Sequence, residues 1–132
     1  MSFDGSTFAG RRGIVEYMQL TIRYFDGCPN WEVARERLDQ ALEVLGRGNQ
    51  PVDLERVESD EDAQRLRFRG SPTIIIDGMD PFSAEDAPVG LSCRVYMTET
   101  GLEGAPSLDQ LLRALRRQIE ASRGAGRTDD PT

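Results

Sequence analysis

The sequence predicts one α/β domain whose elements follow in the order βαβαββα. Three observations support this class. The chain has 132 residues, which suits a single domain with one core. Stretches that alternate apolar and polar residues, typical of strands, are interspersed with stretches of helical spacing. Glycine, proline and helix-capping residues separate the two kinds of stretch.

The first strand and helix have the clearest patterns. Residues 19–25 alternate apolar and polar side chains up to the turn pair Asp26 and Gly27. Pro29 suits the first turn of the helix that follows, because its missing N–H would be unpaired there. Apolar residues then recur at spacings of three and four until Gly46, which suits a left-handed helix stop.

The middle of the domain is predicted to form a strand, a short helix and a buried strand. Residues 51–57 have a less regular strand pattern, and the segment 59–62 is a capping box that opens a helix. Residues 73–78 are an apolar run of β-branched residues, which favours a buried strand. Residues 79–91, with two prolines and three acids, are predicted to be a loop.

A fourth strand and a last helix complete the domain. Residues 92–98 alternate again and place Cys93, Val95 and Met97 on one face, which is expected to contribute to the core. Ser107 is predicted to cap the final helix, because glutamine follows three residues later.

The two ends of the chain show neither pattern. Residues 1–17 are rich in glycine and polar groups and are predicted to be a flexible N-terminal arm. Residues 123–132 are polar and rich in glycine, and are predicted to be a disordered tail. The folded domain is therefore expected to cover residues 18–122.

The charge composition excludes several kinds of chemistry. The chain has no histidine and no lysine, so its 16 basic residues are all arginine, against 23 acids and a net charge of −7. Histidine bases, histidine metal ligands and lysine Schiff bases are therefore excluded. A nucleic-acid surface is not expected, because phosphate binding needs clustered positive charge. The sequence has no apolar run typical of a secretory signal or membrane span, which favours a cytoplasmic location and no membrane partner.

The two cysteines can form at most one disulfide, and they cannot make a four-thiolate zinc site. The acids at positions 77, 80, 85 and 86 do not match a defined cation-binding loop. No metal site is predicted.

Cys28 is the best candidate for chemistry. It stands at the start of the first helix, where free N–H groups and the helix dipole favour the reactive thiolate. The alternative is a buried, inert cysteine. Asp26 could transfer a proton to or from the sulfur, or it could be only a turn residue. Trp31 could wall the site or simply pack beneath the turn.

Two segments resemble the thioredoxin fold. Residues 24–31 (YFDGCPNW) stand where that family carries its Cys-x-x-Cys motif, and residues 69–73 (RGSPT) stand where it carries a cis-proline loop. Residues 90–96 (GLSCRVY) add a likeness to short bacterial thioredoxin-like proteins often labelled alkylmercury-lyase-like. The resemblance implies a mixed four-stranded sheet with helices on both faces.

The resemblance also implies a substrate site around the cis-proline loop. Ser71, Pro72 and Thr73 would offer main-chain hydrogen bonds to a substrate, with a cis bond before Pro72. Arg69 could contact a substrate carboxylate such as that of glutathione, or pair with an acid of the chain. Trp31 occupies the position of the family's resolving thiol, which excludes dithiol exchange within this motif.

Cys93 is a possible second thiol. If the third and fourth strands form a simple hairpin, Cys93 lies several residues from Cys28, too far for a bridge that needs Cα atoms within about 7 Å. The loop before the fourth strand leaves room for another start. The sequence does not decide between these arrangements.

Three functions remain open. The first is a thioredoxin-like single-cysteine thiol–disulfide redox protein that uses Cys28, takes a thiol or disulfide as substrate, and is restored by glutathione or another low-molecular-weight thiol. The second is a non-catalytic thioredoxin-fold binding module. The third is alkylmercury-lyase-like handling of an organomercurial or soft metal by Cys28 and Cys93. Neither enzymatic activity nor oligomeric state follows from the residues.

Overall fold

The computed structural model describes residues 18–82 and 87–126, and the predicted arm at 1–17 lies outside them. A mixed sheet of three strands organises this part of the chain. Strand β1 (Leu20–Tyr24) lies in the centre. Strand β2 (Asp53–Arg56) pairs with it in parallel, and strand β3 (Thr73–Ile76) pairs antiparallel on the other side. The predicted mixed α/β class is confirmed at this level.

Three helices are formed by the described residues: α1 (Asn30–Val44), α2 (Asp60–Leu66) and α3 (Leu108–Gly126). Helix α3 therefore includes the first four residues of the predicted C-terminal tail, and residues 127–132 lie outside the description. None of these helices is both long and apolar enough to cross a membrane.

The main core lies between helices α1 and α3 and one face of the sheet. It combines alternate residues of β1 and β3 with the inner faces of the two helices: Leu20, Ile22, Ala34, Leu38, Ala41, Leu42, Ile74, Ile76, Leu111, Ala114 and Leu115. A smaller cluster is formed by Val57, Ala63 of α2 and Phe68. The C-terminal end of α2 lies beside the opposite face of the sheet, where it lines a cavity with Arg23 and Ile75.

The helix ends follow the local sequence signals. Gly46 has a φ of 73° and, with the residue after it, closes α1 by backbone hydrogen bonds to Glu43 and Leu42. Ser59 accepts a hydrogen bond from the Asp62 N–H at 3.1 Å, as predicted for the start of α2. At α3, Ser107 and the glutamine at 110 exchange reciprocal hydrogen bonds of 3.0 and 3.1 Å, which confirms the predicted capping box.

The predicted fourth strand does not join the sheet. Residues 96–98 form strand β4 (Tyr96–Thr98), which pairs antiparallel with strand β5 (Gly101–Glu103) in a separate two-stranded sheet. Strand β5 was not predicted from the sequence pattern. The described strands thus form one sheet of three strands and one of two strands, in place of the expected four-stranded sheet.

The face predicted to be buried in the 92–98 segment is the exposed one. Val95 is 61% exposed and Met97 is 68% exposed, whereas Arg94, Tyr96 and Thr98 are buried. The expectation that the face shared by Cys93, Val95 and Met97 belongs to the core is therefore wrong.

The partners of Arg94 explain this inversion. Its guanidinium forms a salt bridge of 2.8 Å with Asp80 and lies 3.4 Å from the Thr73 hydroxyl. It also donates to the Phe82 carbonyl and lies 4.6 Å from the centre of the Tyr96 ring. A buried charge is tolerated when it is paired and hydrogen-bonded in this way. Because the strand alternates, burial of Arg94 places its apolar neighbours in solvent.

Candidate thiol site

Cys28 lies in the turn between β1 and α1. Its N–H donates to the Phe25 carbonyl at 3.1 Å, and α1 begins two residues later, after Pro29. The predicted position at a helix start is confirmed. The Cys28 side chain is completely buried, with 0% exposure. External molecules therefore do not reach this sulfur directly in the described conformation.

Ser71 connects the Cys28 turn to the start of β3. The Cys28 thiol donates to the Ser71 carbonyl at 3.3 Å, and the Phe25 N–H donates to the Ser71 hydroxyl at 3.4 Å. The peptide bond between Ser71 and Pro72 is cis, as predicted. Both residues are fully buried. The loop thus contacts the Cys28 sulfur through the Ser71 carbonyl.

Cys93 lies directly beside the same loop. Ser71 and Cys93 form an isolated parallel bridge, in which the Ser71 N–H donates to the Ser92 carbonyl and the Arg94 N–H donates to the Ser71 carbonyl, each at 2.8 Å. Cys93 is a free cysteine and is exposed, so the predicted core thiol is at the surface.

The two thiols are neighbours. A hydrogen bond with the Cys28 side chain is the largest cause that raises the pKa of Cys93, followed by burial and by repulsion from the Cys28 charge. The sequence left this distance open, and the simple hairpin that would separate the two cysteines is not formed. Cys93 instead forms a parallel bridge with Ser71 before β4 begins.

Tyr96 and Arg94 hold the cis-proline loop in place, and neither was predicted as a site residue from the sequence. The Tyr96 hydroxyl donates to the Pro72 carbonyl, and burial raises the pKa of Tyr96. Thr73 donates to the Gly70 carbonyl at 2.6 Å and is itself contacted by Arg94. An arginine two residues before a tyrosine in a strand pattern places both on one face. That spacing indicates a shared face, but it does not indicate that this face is buried.

Asp26 pairs with an arginine and not with either thiol. Its carboxylate is 70% exposed and pairs with Arg56 at 3.0 Å, and Arg56 also binds Glu58 at 3.1 Å. These acids raise the pKa of Arg56, and the main cause is the hydrogen bond that Arg56 donates to Glu58. Among the described residues, no hydrogen bond joins the Asp26 carboxylate to Cys28 or Cys93.

The other predicted site residues lie in two places: Trp31 lies at the main core, and Arg69 and Thr73 lie at the cavity on the opposite face of the sheet. Trp31 stacks on Tyr24 with ring centroids 4.4 Å apart and packs against the main core. This matches the alternative in which the indole packs beneath the turn. Arg69 donates to the Ala87 carbonyl and lines the cavity on the opposite face of the sheet, together with Thr73.

A second cavity, of about 310 Å³, is lined by residues close in sequence to the two cysteines, although not by the cysteines themselves. It is lined by the three residues that precede Cys28 and by Leu91, two residues before Cys93, and is completed by residues 56–58.

Within the described residues, no group of three or more cysteine, aspartate, glutamate or histidine side chains could hold a metal ion. The chemistry available to the site is that of two adjacent thiols. Comparisons of the chain with protein-family models, curated proteins and solved structures found no match.

Proposed function

We propose that this chain is a thioredoxin-like thiol–disulfide exchange protein whose reacting groups are Cys93 and Cys28. The observation that carries the proposal is that both cysteines meet the buried Ser71–Pro72 loop: the Cys28 thiol donates to the Ser71 carbonyl, and Cys93 forms a backbone bridge with Ser71. Each cysteine comes from a different part of the chain, and Ser71 contacts both segments. Two thiols in contact can exchange with an external disulfide and then form a bridge between themselves.

The order of the sheet supports the thioredoxin-like part of the proposal. In that fold a central strand has a parallel and an antiparallel neighbour, as β1 has here. The cysteine before α1 and the cis-proline before β3 agree with the same reading. The separate hairpin of β4 and β5 departs from it.

The exposed sulfur is the one that meets the substrate. The Cys93 thiolate attacks one sulfur of a substrate disulfide, which forms a mixed disulfide at Cys93 and releases the other half of the substrate as a thiolate. The substrate loses its original sulfur–sulfur bond in this step, and no proton transfer from Asp26 is required. The cavity beside Leu91 can hold the bound half of the substrate.

Cys28 then resolves the intermediate. Its thiolate attacks the Cys93 sulfur, the Cys28–Cys93 disulfide forms, and the second half of the substrate leaves as a thiolate. The substrate disulfide gains two electrons, and the protein dithiol loses them. Two equivalents of a low-molecular-weight thiol, of which glutathione is the simplest probe, return the protein to the dithiol form.

This scheme exchanges the roles expected from the sequence. The sequence pattern favours Cys28 as the attacking thiol, because of its place at the helix start. Its burial favours a resolving role instead, since an attacking sulfur must reach the substrate. The raised pKa of Cys93 reduces its thiolate fraction, so its attack should be slow at neutral pH and faster at higher pH. Cys93 replaces the second thiol that the family motif would carry at the position of Trp31.

Trapping with oxidised glutathione tests the proposal. The Cys28→Ser variant is expected to accumulate a stable glutathione adduct on Cys93, because nothing resolves it. The Cys93→Ser variant is expected to react much more slowly, because its remaining thiol is buried. Peptide mass spectrometry identifies the modified cysteine. Ser92→Ala keeps both thiols and the backbone bridge, so it should form the internal disulfide at the rate of the unmodified protein.

Two results would overturn this assignment. A fast adduct on Cys28 in the Cys93→Ser variant would restore the single-cysteine scheme. A wild-type protein that forms neither adduct nor internal disulfide would favour the non-catalytic binding module.

The same contact favours a second candidate function, the binding of a soft cation by the two thiolates. Soft metals such as Cu(I), and the mercury of an organomercurial, prefer sulfur ligands. Two adjacent thiols supply such a pair without a third ligand from the described residues. Cleavage of an organomercurial would also need a proton for carbon, and Asp26 is paired with Arg56 and not with either thiol.

A titration with Cu(I) separates this candidate from disulfide exchange. One tightly bound ion per chain is expected, with binding lost in Cys28→Ser, in Cys93→Ser and after oxidation. Asp26→Asn serves as a control and should bind as the wild type does. Equal affinity in the Cys93→Ser variant would exclude a site made by the pair.

A further inference from the structure

The face of the sheet opposite helices α1 and α3 carries a cavity of about 320 Å³. Its walls combine three arginines, Arg23, Arg67 and Arg69, with apolar side chains from the end of α2 and from β3. The volume lies at the lower end of the range of about 300–1,000 Å³ that is usual for small-molecule sites. This cavity has no role in the proposed thiol chemistry.

The residues that line the cavity carry more positive than negative charge. Asp80 is the one acid among the described lining residues, and its carboxylate accepts from the Arg94 guanidinium at 2.8 and 3.4 Å and from the Phe82 N–H at 2.8 Å. Arg23 uses its Nε to bind Glu55 at 2.6 Å. Within the described ranges, Arg67 and Arg69 form no salt bridge, so two positive charges are left without a partner acid there.

The chain as a whole has a net charge of −7. Its overall field therefore does not favour anions, and the positive charge here is local. Arginine places several N–H donors in one plane, which matches the paired oxygens of a carboxylate or a similar anion. Leu66 and Ile75 also line the cavity, so it offers apolar surface to the rest of a ligand.

We infer that this cavity binds a small organic anion with an apolar body, held by Arg67 and Arg69. A matched set of three ligands tests this inference by calorimetry. Benzoate has both features, benzamide lacks the charge, and acetate lacks the ring. Benzoate is expected to bind at least about tenfold more tightly than either. Benzamide loses the hydrogen bonds to a charged group, and acetate loses the burial of the ring, and each loss is large enough for such a factor.

Arg67→Gln and Arg69→Gln are each expected to weaken benzoate binding about tenfold. Arg113→Gln removes the same charge from an exposed pair on α3 and should leave the affinity unchanged. Amide shifts in the wild type should change around residues 66–69 and 73–80, which locates the ligand without any variant. Equal binding of benzoate and benzamide, or shifts confined to other regions, would overturn the inference. The Cys28→Ser, Cys93→Ser double variant should still bind benzoate, so this result does not depend on the proposed function.

Discussion

The two segments that supply the thiols are built in different ways. The Cys28 turn is local: a backbone hydrogen bond closes it, and α1 begins two residues later. The Cys93 segment depends on distant partners, because Arg94 is held by Asp80, Thr73 and the Phe82 carbonyl. Local rules therefore predicted the first segment, whereas in the second the burial of one charged side chain determined which residues face solvent.

The largest effect on stability is expected from removing Asp80, the partner of the buried Arg94 guanidinium. Asp80→Ala leaves Arg94, whose side chain is 3% exposed, without its carboxylate. The free energy of unfolding should fall by about 3 kcal/mol or more, because an unpaired buried charge is costly. Urea unfolding measures the change. Asp39→Ala breaks an exposed pair with Arg35 on α1 and should cost at most about 1 kcal/mol. Equal losses in both variants would show that Arg94 does not organise its segment.

The close approach of Gly70 to Arg94 gives the next prediction. Gly70 has a φ of 119°, and a Cβ there would lie 2.9 Å from the Arg94 Cβ. Gly78 has a φ of 85° and no atom within 4 Å of such a Cβ. Both alanine variants share the cost of the left-handed backbone, so Gly70→Ala should lose about 1–3 kcal/mol more in thermal unfolding. A smaller loss than that of Gly78→Ala would contradict the packing argument.

The pH dependence of alkylation compares the two thiols directly. The raised pKa of Cys93 means that its thiolate forms at a higher pH than in a free cysteine, so its alkylation rate should rise with pH through a raised midpoint. Cys28→Ala removes the main cause of that shift, and the midpoint should move to lower pH. At a pH below the Cys93 midpoints of both the wild type and the variant, each unit by which the midpoint falls increases the Cys93 thiolate fraction about tenfold. An unchanged midpoint would mean that Cys28 does not contact Cys93 in solution.

The smallest effect is expected on the exposed face of β4. Met97→Thr replaces a side chain that is 68% exposed, so stability should change by no more than about 0.5 kcal/mol. Ile74→Thr places a hydroxyl in the main core and should cost several times more. Chemical denaturation of the two variants measures the difference. A large loss in Met97→Thr would place this face in a contact that the described residues do not show.

Much of the fold follows from short-range patterns. The strand before Asp26, the glycine stop at Gly46 and the two serine caps are each determined by residues within one or two helical turns. The position of Cys28 ahead of α1 belongs to the same group. The cis bond at Ser71–Pro72 was expected from the resemblance of its segment to a known loop, and it is confirmed.

Short-range patterns predict the Cys28 half of the candidate site but not the Cys93 half, which depends on long-range contacts. Alternation in 92–98 identifies a strand, but apolar residues at 95 and 97 and polar ones at 94 and 98 indicate the wrong buried face. Nothing near Arg94 in the sequence reveals that Asp80 and the Phe82 carbonyl will surround it. The parallel bridge of Cys93 to Ser71 is likewise a contact between segments more than twenty residues apart.

The sequence by itself determined the mixed α/β class, the caps that begin α2 and α3, the glycine stop of α1, the absence of histidine and lysine chemistry, and a thiol at the start of α1. Only the tertiary structure decided that Cys93 lies beside Cys28, that Cys93 is the exposed thiol of the two, and that three arginines line one cavity. The physical reason is the separation along the chain between the residues that interact. Caps and turns are satisfied by neighbours along the chain, whereas a buried charge is satisfied by whatever the folded chain brings around it.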